Sequence, residues 1–307
     1  MVKSEVFNKQ MSLLRERRLI DFVLEEDLMF FVMFFVENYC QEICDHFEQK
    51  GTGRPRFPIK NMISLLLYSY CNKNTSPTVI AKNTRYNIPS MILMDGLMPS
   101  RRSISRYRYL LACHYKSILS KTLQLALDLG LTDFDHVAID GTIIKAYNSS
   151  FNVIRKTDVK KLLRILENED YDEKVIKSLR RSAYNLLYSD MKLNEKIDFL
   201  YHILEELKES GQKSCSLYDT EARWMLNKKG VKELSYNLQS AIDYTTKLIL
   251  AVHVTNEATD HYQLPPTLTK AIENCPVPLN KISADTAYHN EISNDILQEY
   301  NLDDYIS

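Results

Sequence analysis

His136-Val137-Ala138-Ile139-Asp140-Gly141-Thr142 is the stretch on which the reading of this chain turns. Three apolar residues, two of them β-branched, lead into a carboxylate and then a glycine. Such a run reads as a buried strand with an acid at its open end. Lys281-Ile282-Ser283-Ala284-Asp285-Thr286-Ala287-Tyr288 has the same grammar. Two strand-borne carboxylates that face one another can hold a pair of divalent metals, about 3.5–4 Å apart, for phosphoryl transfer. Each stretch also has a plainer reading. Asp140-Gly141 is a hairpin-turn dipeptide, and Asp285 suits the cap of a helix starting near His289.

Around these stretches the chain has ordinary globular proportions. Its 307 residues suffice for one large domain or two ordinary ones, and 45% hydrophobic residues supply a sizeable core. The six cysteines have no disulfide-framework spacing and follow no secretory signal, so a reducing cytoplasm is expected. Cys40 and Cys44 lie one helical turn apart near His46, but a zinc site needs a fourth ligand, and buried thiols are the simpler reading. The longest apolar run, residues 28–36, is too short to cross a bilayer and reads as part of a core helix over 28–47, buried all round. No membrane contact is expected.

The net charge of −1 conceals an uneven distribution. Between Gly51 and Lys121, twelve Lys and Arg residues, Arg54 and Arg56 among them, meet one acid, Asp95. A basic block in a neutral chain points to a polyanion partner. The block reads as a helix stopped by Gly51-Thr52-Gly53, a helix opened by Pro58, short helices near Pro77 and Pro89, and a last helix after Ser100. Lys82 falls on the short helix expected from Pro77 to Thr84, Arg85 just beyond it, and Arg101, Arg102, Arg106 and Arg108 on the last. Short helices, tight turns and a basic last helix suit a helix-turn-helix-like DNA binder. The alternative is a solvated charged face; the scarcity of acids favours DNA.

Residues 110–131 read as one apolar helix ended by Gly130. Residues 155–213 mix thirteen basic with twelve acidic residues and hold no Gly or Pro before Gly211, as a structural helical insertion would. Beyond it, residues 236–242 and 248–254 form a hairpin, followed by a helix over 263–274, the strand ending at Asp285, a helix over 291–300 and a short strand at 304–306. Strands that first form a meander and then alternate with helices indicate a mixed sheet with helices on its faces.

At this point the residues resemble a known family, the bacterial insertion-sequence transposases of the DDE type. The resemblance runs in one order along nearly the whole chain. It is carried by Phe57-Pro58, Pro99-Ser100-Arg101-Arg102-Ser103-Ile104-Ser105-Arg106-Tyr107-Arg108, Ala138-Ile139-Asp140-Gly141-Thr142, Asp219-Thr220-Glu221-Ala222-Arg223-Trp224-Met225, Val254-Thr255-Asn256-Glu257-Ala258-Thr259-Asp260 and Ala284-Asp285-Thr286-Ala287-Tyr288. It implies a helical DNA-binding domain over residues 1–130. A ribonuclease H-like mixed sheet flanked by helices would follow over 131–307, with the helical insertion at about 155–213. It further implies that Asp140 and Asp285 are catalytic and bind metal, with two Mg²⁺ or Mn²⁺ ions in the complete site. The reaction would be cleavage and strand transfer at element ends, and the partners would be double-stranded DNA, both terminal repeats and target, and further copies of the chain on that DNA.

The family's third acid, a Glu, comes on a helix well after the last strand. Glu291 and Glu299 lie on the helix directly after Asp285, which is the wrong element. The expectation is therefore a C-terminally incomplete catalytic domain, inactive alone, with apolar surface exposed beside the strands ending at Val254 and Ile306. Two other functions stay open: a shortened transposase that binds DNA and inhibits without catalysis, and a ribonuclease H-like nuclease that cuts without joining. Asp219, Glu221 and Asp260 read as capping or salt-bridging acids, and His136, His253 and His289 as packing residues.

Overall fold

Asp140 lies in the middle of a strand, not at its open end. That strand, β1, spans His136–Lys145 and carries the chain straight through Asp140-Gly141, so the hairpin-turn alternative falls. The structure, a computed structural model, describes residues 18–47, 57–149, 152–168 and 173–306. It has mixed helix and strand, with a helical N-terminal part followed by a sheet, and divides into two compact units at Leu131/Thr132. The stop at Gly51-Thr52-Gly53 and the basic residues Arg54 and Arg56 lie outside the described residues.

In the first unit, α1 (Leu28–Tyr39) starts where the Asp27 carboxylate accepts the Met29 N–H at 2.8 Å. Two expectations fail here. The helix breaks at Cys40, whose ψ of 14° leaves the helical region, and restarts as α2 (Gln41–His46). Nor is it buried all round, since Phe31 and Phe34 are half exposed while Met29, Val32 and Val36 face the core. There follow α3 (Ile59–Cys71), α4 (Pro77–Tyr86), α5 (Ile88–Leu93), α6 (Arg101–Leu110) and α7 (Tyr115–Asp128). The helix expected over 110–131 starts later, at Tyr115, because a 3-10 turn over Ala112–His114 precedes it. Gly130, at φ +65°, closes α7: its N–H bonds the Leu127 carbonyl, and the Leu131 N–H reaches Ala126.

Cys40 and Cys44 are buried in this helical core, and the His46 ring meets Phe47 edge-on and lies tilted against His114. Burial, then the neighbouring Cys44 thiol, pushes the Cys40 thiol up to about 12. At pH 8 it is therefore a neutral thiol and a poor nucleophile. In a thiol-reagent titration of the native chain, the exposed Cys71 and Cys113 are expected to react promptly and Cys40 only on unfolding. Prompt labelling of Cys40 in the folded chain would refute its burial.

The second unit is built on β1. Along its whole length lies antiparallel β5 (Lys232–Asp243), with Val137 opposite Asp243 and Lys145 opposite Ser235. The other flank of β5 is shared. Its first residues pair with β4 (Arg223–Leu226) and the rest with β6 (Ile249–Thr255). The hairpin of β4 and β5, closed by a turn at Gly230, has no counterpart in the sequence expectations. On the far side of β1, β7 (Lys281–Ala284) runs parallel to it, and β8 (Asp303–Ile306) runs parallel to β7. The resulting order is β4-β5-β1-β7-β8, with β6 beside β5. Helix α12 (Leu264–Asn274) covers β5 and β6 with Leu264, Leu268 and Ala271, and α13 (Glu291–Glu299) lies between β7 and β8 in sequence. Val252, Val254 and Tyr305 are exposed.

Between β1 and β4 the chain leaves the sheet through a two-stranded neck, β2 (Val153–Arg155) against β3 (Ser214–Ser216). The excursion consists of α8 (Lys156–Asn168), α9 (Glu173–Lys177), α10 (Arg181–Leu187) and α11 (Leu193–Glu209). These helices bury a core of their own, including Leu162, Ala183, Leu200, Ile203 and Leu207. The mixed charge lies mostly outside it. Asp158 and Lys196 are exceptions: both are buried, Asp158 Oδ2 lying 3.9 Å from Arg180 Nε and Lys196 donating to the Leu187 carbonyl at 2.7 Å.

Candidate functional site

Two sets of residues stand out, one in each unit. In the second unit, β1 and β7 are parallel neighbours with His136 opposite Lys281, Val137 opposite Ile282 and Ala138 opposite Ser283. The same offset, carried two residues further, makes Asp140 level with Asp285. Adjacent strands lie about 4.8 Å apart. Asp285 is still extended, at φ −74° and ψ 158°, before the chain turns into the 3-10 segment Thr286–Tyr288. Pairing on this side of β1 ends at Ala138, so Asp140 stands where the parallel neighbour peels away, and both acids are exposed.

Each carboxylate accepts the N–H of the residue after it: Gly141 to Asp140 at 2.8 Å and Thr286 to Asp285 at 2.6 Å. Among the described residues no Lys or Arg pairs with either acid. Oxygen donors of this kind, unneutralised and open to solvent, are the hard ligands that Mg²⁺ and Mn²⁺ take. The donor chemistry therefore fits a divalent cation. Among the described residues, however, no three His, Cys, Asp or Glu side chains gather as a metal-holding group.

Directly behind the pair lies a network that the sequence did not announce. Successive residues of a strand face opposite sides of the sheet, so Gly141 faces the side away from Asp140. The Asp260 carboxylate fills the space over Gly141. A Cβ there would come within 2.6 Å of both Asp260 Oδ1 and Gln239 Nε2. Asp260 Oδ1 accepts from Asn237 Nδ2 at 2.7 Å and from Gln239 Nε2 at 2.6 Å. Both amides are buried. The Tyr288 hydroxyl donates to Gln239 Oε1 at 2.5 Å. Burial raises the Tyr288 phenol first, and the charges of Asp260, Asp140 and Asp285 raise it further. All three acids are thus felt at one buried hydroxyl. Asp260 pairs with no cation among the described residues, so of the two roles expected, capping and salt-bridging, the second fails.

The other acids and histidines have local roles. Asp219 Oδ1 accepts the Tyr236 hydroxyl at 2.5 Å and the Ala222 N–H at 3.3 Å, so it ties the turn before β4 and caps no helix. Glu221 and His289 are exposed. His136 stacks on Tyr244 and bonds Ser283 Oγ at 2.8 Å. His253 faces Lys270 Nζ at 2.8 Å and is held below its usual range, first by burial and then by that ammonium.

In the first unit, α6 presents the basic set. Ser100 caps it by accepting the Ser103 N–H at 3.2 Å. Ile104 and Tyr107 turn inward, and the Tyr107 hydroxyl holds the Phe57 carbonyl at 2.6 Å. Arg101, Arg102 and Arg106 are exposed and, among the described residues, unpaired with any acid. Arg108 differs from them: it donates to the Thr75 carbonyl at 3.0 Å and lies over the Tyr70 ring. Lys82 and Arg85 are exposed on α4, which packs against α6.

Residues 17–110 match a family model described as a transposase domain (DUF772). The match supports a transposase family. It covers the stretch from the start of the described residues to the end of α6, the basic helix included. No curated protein matches the chain.

Proposed function

We propose that this transposase-like chain binds duplex DNA through α6 and α4 and cleaves it by metal-dependent phosphoryl transfer at Asp140 and Asp285. One observation supports the catalytic half most: two unpaired, solvent-open carboxylates fall level on neighbouring parallel strands. The sheet is consistent with a ribonuclease H-like domain, since three antiparallel strands form a meander and two more are added parallel to the first. In this reading Asp140 and Asp285 hold divalent cations. When bound, such ions activate water or a 3′-hydroxyl and stabilise the leaving oxygen. The chain itself contributes the carboxylates, held in place by the Gly141 and Thr286 N–H groups. Exposed arginines on α6 would fix the duplex by its phosphates.

Nicking of supercoiled plasmid DNA tests the proposal, with Mn²⁺ as the permissive metal. The sequence leads to the expectation that this chain is inactive alone. The catalytic reading instead expects the wild-type chain to nick, and Asp140→Ala or Asp285→Ala to lower the rate more than about 100-fold, beyond the usual effect of a supporting residue. The absence of a third gathered acid among the described residues supports a second reading, DNA binding without cleavage. Tight binding with no metal-dependent nicking would select it.

A further inference from the structure

The network behind the acids has the form of a brace. Asp285 and Tyr288 belong to one 3-10 turn, so the hydroxyl of Tyr288 is tied covalently to Asp285. That hydroxyl donates to Gln239 Oε1, and Gln239 Nε2 donates to Asp260 Oδ1. Asp260 in turn lies against the α-carbon of Gly141, next to Asp140 in the chain. A path of hydrogen bonds and close contact thus runs from one acid to the other through the buried face of the sheet. The path has several features of a built device. Gln239 is fully buried, and its amide is satisfied at both ends. Asn237 repeats the clamp on the same Asp260 oxygen. Gly141 has ordinary backbone angles, so what its position demands is space for a carboxylate, not conformational freedom.

A carboxylate beneath a sheet is normally neutralised by a cation or used as a cap. Asp260 instead receives two neutral amides. Asp140 and Asp285, level on neighbouring strands, repel one another unless a cation offsets them. We propose that Asp260, with Gln239 and Tyr288, is a positioning brace that holds Asp140 and Asp285 at the spacing of a divalent cation. The inference rests on the metal-dependent reading above and adds to it residues that touch neither metal nor DNA.

The test is Mn²⁺ binding to the full chain, followed by the loss of the free-ion paramagnetic resonance signal, with folding checked by circular dichroism. Asp260→Asn keeps the acceptor oxygen and removes the charge. Tyr288→Phe removes one oxygen and leaves the ring, so it carries the test should the first variant fold poorly. Each is expected to weaken Mn²⁺ binding about 10–100-fold, the usual effect of losing a supporting partner. Because both act through one path, the double variant should be much less impaired than the product of the single effects. A role confined to stability would lower the melting temperature and leave the affinity of the folded chain intact. Wild-type affinity in both folded single variants would overturn the brace alone. A wild-type chain that binds no Mn²⁺ would overturn the metal reading, and the brace with it.

Discussion

Replacing Arg101, Arg102 and Arg106 together with Gln is expected to remove most of the chain's affinity for duplex DNA at low salt. The argument starts from charge. DNA affinity at low salt comes from counterions released when cations meet phosphates, and each contact contributes about 0.9 to the log–log salt slope. These three guanidinium groups project from one capped helix and have no acid partner among the described residues, so they are free for phosphates. Losing three contacts should flatten the slope by about 2.7. Between 50 and 200 mM salt, the wild-type chain should then lose about 40-fold more affinity than the triple variant. Arg108 gives an internal control. Its guanidinium already holds the Thr75 carbonyl, so Arg108→Gln should lower stability more than it changes the slope. Fluorescence titration of labelled duplex at several salt concentrations measures both. An unchanged slope in the triple variant would place the DNA contacts elsewhere.

What could be read from the chain, and what could not, follows from how local each signal is. The two acids were visible because each follows an apolar strand run, and their level placement follows from an offset that numbering alone carries. The mid-strand position of Asp140 was hidden, because Asp-Gly also spells a turn and only the pairing with Gln239 and Ser240 shows the strand continuing. The position of Asp260 is hidden in the sequence for a related reason. It sits in a polar loop whose composition announces turns, while its partners Asn237 and Gln239 alternate along β5 as an outward face would. Their burial is imposed by α12 and the loop before it, packed on that face from far along the chain. A fitting clue was the glycine: Gly141 inside a strand pattern signals close approach by another group. The break at Cys40 had no Gly or Pro to mark it. The hairpin of β4 and β5 has a sign in Asn227 and Gly230 at its turn, but Arg223–Leu226 is too short and does not alternate, so no strand shows in the sequence before it.

Asp140→Asn should leave the metal-free chain as stable as the wild type or slightly more so, while abolishing its response to Mn²⁺. The substitution changes charge and little else. An Asn side-chain oxygen can still accept the Gly141 N–H that Asp140 Oδ1 now accepts, and the strand pairing around it involves only backbone. The acid is exposed, so no buried partner is stranded by its loss. What disappears is one of two unpaired negative charges on adjacent strands, a repulsive contact without metal and an attractive one with it. A ligand that binds only the folded chain stabilises it by about 2.7 kcal/mol at 100 times its dissociation constant. For a unit of this size that raises the melting temperature by roughly 5–10 °C. The wild type should show such a rise on adding Mn²⁺ in excess, and Asp140→Asn and Asp285→Asn should show none. Opposite signs for one substitution, depending on metal, are hard to produce by a packing defect, which would lower both melting temperatures. If Asp140→Asn keeps the full Mn²⁺ shift, the cation binds elsewhere and the level placement of Asp140 and Asp285 has another purpose.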